Sequence, residues 1–539
     1  MAVLQTQIDP ASESFRRNRA EMLALIEGFR ALERRVRDTS NARRPVFEKR
    51  GQLSPRDRIA HLLDRGAPFL EIATLAGYRM HDDDGAENIM GGGSIAGIGY
   101  VAGIRCMIAA SDSGIKGGTI APMGLRKSLR AQEIALQNKL PVVNLVESGG
   151  ANLNYQAEIF VEGGKGFANQ ARLSAAGIPQ ITVVHGSSTA GGAYVPGMSD
   201  YVVVVKGRAK IFLAGPPLLR SATGEIATDE ELGGAEMHAQ VSGVAEYLAA
   251  DDADALRIVR EICAKLPWNE RGPQLRKKAS RPPRYDIDEL CGIVPIDYRK
   301  PYDVREVIAR LVDDSDFVDF KPGYGGHTVC GQASIEGEAV GLIGNNGPID
   351  TEGAAKAAQF IQLCDQADMP LVFLQNTTGY MVGREAERGG IVKHGSKMIQ
   401  AVTNARVPKL TLHIGASFGA GNYGMCGRAY DPRFIFAWPN NRIAVMGPEQ
   451  AAGVLAIVAE EKFRRAGAEP DMAALEKMKA QVVKKMEAES TALFATARLW
   501  DDGLIDPRDS RRVLGFCLDI CREADARATK RNAFGIARV

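Results

Sequence analysis

The segment LPVVNLVES (Leu140–Ser148) recurs as MPLVFLQNT (Met369–Thr377), and GIPQITVVHGSSTAGGAY (Gly177–Tyr194) recurs as RVPKLTLHIGASFGAGNY (Arg406–Tyr423). Pro141 answers to Pro370, Pro179 to Pro408, Gly186 to Gly415, Gly192 to Gly421 and Tyr194 to Tyr423, and every pair is 229 residues apart. One offset held across two separated segments marks an internal duplication, which obliges the chain to build one supersecondary plan twice. The 539 residues leave room for that, since about 150 residues per domain allows two to four domains.

Around the duplicated segments the periodicities divide the chain. Residues 1–45 read as an N-terminal helical segment, because Phe15, Met22, Leu25, Ile26, Phe29, Leu32 and Val36 recur at helical spacing among arginines and glutamates. Residues 268–288, WNERGPQLRKKASRPPRYDID, combine prolines and six Arg or Lys residues with no apolar period and read as a linker. That leaves 46–267 and 289–539 as the two copies. In each, short apolar runs (Val142–Val146, Ile181–Val184 and Tyr201–Val205; Leu371–Leu374, Leu410–Ile414 and Phe434–Ala437) alternate with helical stretches such as LRKSLRAQEIALQNK and AAKAAQFIQLCDQA. Such alternation predicts an α/β fold with buried strands.

Composition narrows the classes of function. A net charge of +2 with 24% charged residues favours neither a nucleic-acid surface nor disorder. Eight scattered cysteines without a CxxC pair argue for reduced thiols rather than a zinc site or a disulfide framework. No signal-peptide pattern opens the chain, and no run of about 18 apolar residues is present to span a bilayer, so the expected location is cytoplasmic and off the membrane.

The duplicated strands both run into glycine-rich bends, STAGGAY and SFGAGNY. Glycine between a strand and a helix lets backbone N–H groups converge on a ligand, so Gly191–Gly192 and Ala420–Gly421 read as two anion-stabilising nests. One such bend alone reads more simply as a tight turn; two at matched positions favour function. Neither is a GxxxxGK[ST] or a GxGxxG motif. Two backbone oxyanion holes suit a reaction in which two carbonyl oxygens gain charge, and carboxyl transfer between a ureido carbonyl and a thioester enolate is one.

From about Gln52 to Val539 the sequence resembles the carboxyltransferase (β) subunits of biotin-dependent acyl-CoA carboxylases. The resemblance rests on STAGGAYVPGMSD, on FLAGPPLL with ATGE and LGGAEMH across Phe212–His238, and on PYDVREVIARLVD, GKGF with NQA, FLQNTTGYMVGRE, FGAGNYGMCGRAYDPRF and ARLWDDGLIDPRD. It implies two tandem crotonase-like (ClpP/crotonase) domains, acyl-CoA on the N-terminal one and carboxybiotin on the C-terminal one. It also implies a hexamer whose sites form between facing subunits, and a partner α subunit with biotin carboxylase and biotin carboxyl carrier functions. The partner supplies biotin and its ATP-driven carboxylation, because the chain has no lysine in an AMKM-like context and no Gly-rich ATP loop. No metal is implied in this chain.

On that resemblance the amides of Gly191 and Gly192 stabilise the thioester enolate, and those of Ala420 and Gly421 the ureido oxygen. Ala420 departs from the usual glycine, but only its N–H is needed. Lys116, Gly117, Gly118, Gly149, Gly150, Gly164, Gly166, Ala168 and Tyr194 fall on the acyl side. Thr377, Gly379, Phe418, Gly419, Asn422 and Tyr423 fall on the biotin side. The family mechanism has no protein base, the biotin enolate left by CO₂ release taking the substrate proton. His185 and His413 at the strand ends therefore read more simply as core residues. Lys116, Arg126, Lys127 and Arg130 are candidates for CoA phosphates, with a solvated helix face as the plainer reading, and Glu147 is a candidate to orient the substrate loop or merely a cap.

Within the family the nearest resemblance is to subunits acting on geranyl-CoA and 3-methylcrotonoyl-CoA, whose γ-carbon proton is removed with charge spread onto the thioester oxygen. Gly164, Gly166 and Ala168 stand where methylcrotonoyl-type subunits carry bulkier residues, which leaves volume for a terpenoid tail. Closer helix packing is the competing explanation. Propionyl-CoA or other acyl-CoA carboxylation, a membrane decarboxylase's carboxyltransferase component and a non-enzymatic CoA-binding scaffold remain as alternatives. A single-site hydratase or isomerase is disfavoured by the second hole.

Overall fold

A computed structural model describes residues 3–270, 279–467 and 469–538. The chain divides into two compact units, one of Ala31–Leu275, Ala497–Leu499 and Ile520–Val539, the other of Met1–Arg30, Arg276–Thr496 and Trp500–Asp519. The middle of the expected linker, 271–278, lies outside the described residues.

The first unit is built on β1 (Leu70–Ile72), β2 (Ser94–Val101), β3 (Ile104–Ser111), β4 (Val142–Ser148), β5 (Gln180–Thr189), β6 (Tyr201–Val205), β7 (Lys210–Phe212) and β8 (Tyr247–Ala249). They form one sheet in the order β1-β2-β3-β4-β5-β6-β8, with β7 paired to the end of β5. The second unit carries β9 (Val318–Asp319), β10 (Thr328–Ile335), β11 (Glu338–Asn345), β12 (Leu371–Thr377), β13 (Lys409–Phe418), β14 (Phe434–Ala437) and β15 (Arg442–Ala444), in the order β14-β13-β12-β11-β10-β9 with β15 on β13. In each sheet an antiparallel hairpin, β2–β3 or β10–β11, leads into parallel strands joined through helices. Burial explains the composition of the strands: all ten residues of β13 are buried, and Val202–Val205 of β6 are inaccessible.

The 229-residue offset is realised in the backbone. The helix Pro122–Gln137 answers to Thr351–Gln366, β4 to β12 and β5 to β13, each with both ends displaced by that offset. The strand register follows: Val142 faces Gln180 as Leu371 faces Lys409. Even isolated contacts repeat, Ile120 with Ala151 and Ile349 with Tyr380. Lys127 and Lys356, also offset partners, are both 1% exposed. Each ammonium donates to carbonyls, Lys127 Nζ to Ser94 at 2.7 Å and Lys356 Nζ to Tyr324 at 2.6 Å. Lys127 is thus a duplicated structural lysine with no access to CoA phosphates, and burial lowers it from 10.5 to about 8.

The copies diverge after the bends. The first continues through short helices between Pro216 and Gln240, the second through the helices Pro448–Arg465 and Met472–Glu489. The N-terminal helix runs Glu13–Asn41 and buries Phe15, Met22, Ile26, Phe29 and Val36 of the expected apolar stripe, with Leu25 and Leu32 half-buried beside them. Among the described residues no helix is long and apolar enough to cross a membrane.

Candidate active site

Both bends are made the same way. The parallel pairs β4–β5 and β12–β13 slip register at the same point, between Val146 and Ser148 and between Gln375 and Thr377. A hydroxyl then pins the departing loop: Ser148 Oγ accepts from Gly150 N at 3.1 Å and donates to the Gly118 carbonyl at 2.7 Å, and Thr377 Oγ1 accepts from Gly379 N at 3.2 Å. Past the slip, β5 enters the 3-10 turn Ala190–Ala193 and the helix Tyr194–Gly197, and β13 enters the helix Gly419–Gly424. The first amides of a helix have no acceptor within it. Gly191 and Gly192 hold those positions in one bend, Ala420 and Gly421 in the other.

Each bend opens with a left-handed residue, φ 53° at Ala190 and 55° at Gly419. The copies have exchanged the order of Ala and Gly there, and the alanine bears strain of about 1 kcal/mol. The glycines also answer different needs. A Cβ on Gly191 or Gly192 would meet nothing nearer than Phe167 Cζ at 3.7 Å or Ser188 Oγ at 3.8 Å, so these glycines keep the approach to the amides open. A Cβ on Gly421 would lie 2.9 Å from both Gly379 Cα and Thr377 Cγ2, so that glycine is demanded by the fold.

The first unit brings most of the expected acyl-side residues together. Lys116, Gly117 and Gly118 are all left-handed and form a turn, and Ile120 N bonds the Gly150 carbonyl at 2.9 Å, which seats that turn beside Gly149–Gly150. Lys116 Nζ pairs with Asp82 Oδ2 at 2.6 Å, and Asp82 Oδ1 also accepts from Tyr155 Oη at 2.7 Å. On the helix Gln156–Ala175, Phe167 packs edge-on against Tyr194 with ring centroids 5.7 Å apart and abuts Gly191. Gly164, one turn earlier on the same face, would present a Cβ to open space. Gly166 instead turns toward Leu129 of the helix Pro122–Gln137, and its offset partner Gly395 likewise packs on Tyr380. Gly166 thus faces the neighbouring helix, as the competing explanation of closer helix packing expects. Ala168 is half-buried on the helix Gln156–Ala175.

In the second unit Ala420 is exposed and Tyr423 half exposed, while Thr377 and Phe418 are each 1% exposed. Thr377 and Phe418, the latter edge-on to Tyr298 at 5.0 Å, thus shape the bend from inside rather than touch a ligand through their side chains. Asn422 Nδ2 donates to Ser417 Oγ at 2.7 Å and braces the same bend. Of the basic candidates for CoA phosphates Arg126 is exposed, whereas Arg130 is buried and pairs with Glu133 at 2.8 Å.

Beneath the first bend lies a network that the sequence did not announce. Arg58 donates to Glu147 Oε2 at 2.6 Å and Asp252 Oδ2 at 3.3 Å, Asp252 Oδ1 meets His185 Nδ1 at 2.8 Å, and Ser113 Oγ donates to Glu147 at 2.8 Å. Glu147 therefore braces the loop that carries Lys116–Gly118. Its offset partner Asn376 does the simpler task of accepting from Ala416 N at 3.0 Å.

His185 and His413 are not equivalents: at the common offset His413 answers to Val184, so the two rings leave opposite faces of their strands. Burial, reinforced by Arg58, lowers His185 from 6.5 to about 4, and burial with Arg428 lowers His413 to about 3. Both are neutral core residues. Below pH 6.5 the unfolded chain takes up these protons and the folded chain does not. Stability is thus whole above about 6.5 and falls toward pH 4 by roughly 1 kcal/mol per pH unit for each ring. Thermal melts at pH 7.5, 6.5 and 5.5 measure this slope, and His413→Gln is expected to lessen it; an unchanged slope contradicts the assignment.

A model of the carboxyl transferase domain matches residues 47–534. The chain belongs to that family, among the carboxyltransferase β subunits of biotin-dependent acyl-CoA carboxylases. It is 50% identical over 539 residues to a probable biotin-dependent acyl-coenzyme A carboxylase beta2 subunit of Mycobacterium tuberculosis, covering all of both chains. It is 52% identical over 484 residues to the biotin-dependent 3-methylcrotonyl-coenzyme A carboxylase beta1 subunit of the same organism, covering 88% of this chain and 89% of that one. The crystal structure of the geranyl-CoA carboxylase β subunit of P. aeruginosa matches with a TM-score of 0.94 at 63% identity, over the whole of both chains.

Proposed function

We propose that this chain transfers the carboxyl group of carboxybiotin, held on a partner α subunit, to the γ-carbon of a β-methyl enoyl-CoA, and that geranyl-CoA is its substrate. The observation that carries the choice is Gly164. It leaves the helix face beside the first bend open, between exposed Phe160 and the ring of Phe167. An apolar wall with a gap one side chain deep accepts a terpenoid tail, where a five-carbon acyl group leaves the space unfilled. The 63% identity to a geranyl-CoA carboxylase β subunit supports the same reading. The second reading, 3-methylcrotonoyl-CoA, is favoured by relatives at 47 to 52% identity.

On this reading the domain 46–267 holds the acyl-CoA and 289–539 the carboxybiotin. Carboxybiotin supplies activated CO₂; the chain's part is positioning and electrostatics. The amides of Gly191 and Gly192 take the charge of the thioester enolate, which forms as the γ-proton leaves to the ureido oxygen that CO₂ release would free and the remaining electron pair delocalises through the double bond. At the second bend Ala420 and Gly421 offer two amides and an exposed approach, a set of neutral donors that fits a ureido oxygen. Lys116–Gly118 and Gly149–Gly150 form the floor of the acyl side, with Tyr194 at its edge. Gly379, Gly419, Asn422 and Tyr423 frame the biotin side. The reading includes a hexamer of this chain with its biotin-bearing partners and a cytoplasmic location.

Gly164→Phe tests the substrate. It is expected to lower kcat/KM for geranyl-CoA about 100-fold while sparing 3-methylcrotonoyl-CoA, since it fills volume only the longer tail uses. Equal losses on both substrates would remove the geranyl assignment.

A further inference from the structure

The segment that follows the last helix, Ser510–Ala526, crosses the first unit and ends on the acyl-side bend. Gly177 has φ 76° and no Cβ, and it lets the backbone of Lys530 pass at contact distance. Asn532 N then bonds the Ala175 carbonyl at 2.9 Å, and Ile536 N bonds Ser174 Oγ at 3.0 Å. Both anchors lie at the C-terminal end of the helix Gln156–Ala175, the helix that carries Gly164 and Phe167. Further along stands Arg538, whose side chain is only 12% exposed. Its Nη1 donates to the Pro196 carbonyl at 2.8 Å, at the end of the helix Tyr194–Gly197 that prolongs the bend. Its Nη2 and Nε donate to Glu246 Oε1 at 2.6 and 2.9 Å, and Nη2 also reaches the Val244 carbonyl. Glu246 is itself fixed by Val202 N of β6 at 2.6 Å.

We propose that residues 530–538 form a strap, with Arg538 as a positioning residue that sets the distance between the acyl-wall helix and the Gly191–Gly192 amides. This rests on the assignment of the first bend to the acyl-CoA. A guanidinium at a helix C-terminus binds its free carbonyls and opposes the dipole, so Arg538 holds the bend helix in place from the end remote from the amides. Gln170, buried on the wall helix, makes the inner half of the tie by donating to the Val195 carbonyl at 3.1 Å. Wall helix and bend helix are thereby joined on two sides, one contact inside the fold and one through the strap. Oxyanion stabilisation depends on donors placed to a few tenths of an ångström, so a tie that touches no substrate still governs the rate.

The test is Arg538→Ala and Arg538→Lys in the full chain, assayed by reverse transfer from carboxylated geranyl-CoA to free biotin, with amide hydrogen exchange on the same samples. Arg538→Ala is expected to lower kcat about ten-fold, in line with the cost of displacing catalytic groups by less than about 1 Å, with the KM for biotin unchanged. Exchange should quicken in 190–200 and stay as it was in 415–427. Arg538→Lys, which keeps the charge but not the fork, should recover part of the rate. Wild-type kinetics in a folded Arg538→Ala protein would overturn the positioning role. Equal loosening of both bends would overturn it too, showing a general destabilisation. A wild-type protein that transfers nothing would instead overturn the acyl assignment, and the exchange pattern would still report whether the strap holds the bend.

Discussion

Replacing Gly192 by valine is expected to lower carboxyl transfer about 100- to 1,000-fold, the range for loss of one oxyanion-hole donor, while the protein melts close to the wild-type temperature. The separation of the two effects follows from geometry. The nearest atom to a Cβ at that position is Ser188 Oγ at 3.8 Å, so the fold has room for the substituent. What the branched side chain occupies is the outer face of the bend, where the acyl oxygen must approach the amides. Gly421→Val serves as the contrast: with Gly379 and Thr377 already 2.9 Å from its Cβ, it should lose stability as well as activity. Steady-state kinetics paired with thermal melts distinguish the two. A Gly192→Val protein with normal turnover would remove the first bend from the chemistry.

Arg58→Met should be the most destabilising single change near the site, by about 3–5 kcal/mol, because it strands the carboxylates of Glu147 and Asp252 without their common partner. The side chains of Arg58 and Asp252 are each 2% exposed and Glu147 is 14% exposed, so water replaces little of what is lost. The damage should also reach function, since Glu147 fixes Ser113 and through it the loop of Lys116–Gly118. Denaturant unfolding measures the first effect, and the KM for acyl-CoA the second. A midpoint within error of the wild type would show that the network is not a buried charge system at all.

The parts of this molecule that could be read from the chain are those in which neighbours in sequence are neighbours in space. β4, β5, the bends and their counterparts keep one offset because strand, slip and bend form a continuous unit with no room for insertion. The N-terminal hairpins β2–β3 and β10–β11 repeat at a different offset, since the loops that follow them differ in length, so the common spacing does not reveal them. Lys127 was legible as a duplicated residue but not as a buried one, because its carbonyl partners, Gly91 and Ser94, lie at the entry to β2, more than 30 residues earlier. The contacts of Arg58 with Glu147 and Asp252 span 89 and 194 residues, and Arg538 reaches Pro196 across 342. No local pattern reports such pairs. Gly164 and Gly166 show a related limit: small residues on a helix look alike whether they face open space or another helix, and only the position of Leu129 tells the two apart.

Whether the paired bends carry out carboxyl transfer between biotin and a thioester is decided by running the reaction backwards. The purified chain is given free biotin with carboxylated geranyl-CoA or with 3-methylglutaconyl-CoA, and the loss of each carboxylate is followed. Consumption should require biotin, run faster with the geranyl compound, and fall about 100- to 1,000-fold in Gly192→Val. A folded protein that consumes neither compound in the presence of biotin would contradict carboxyl transfer by the bends.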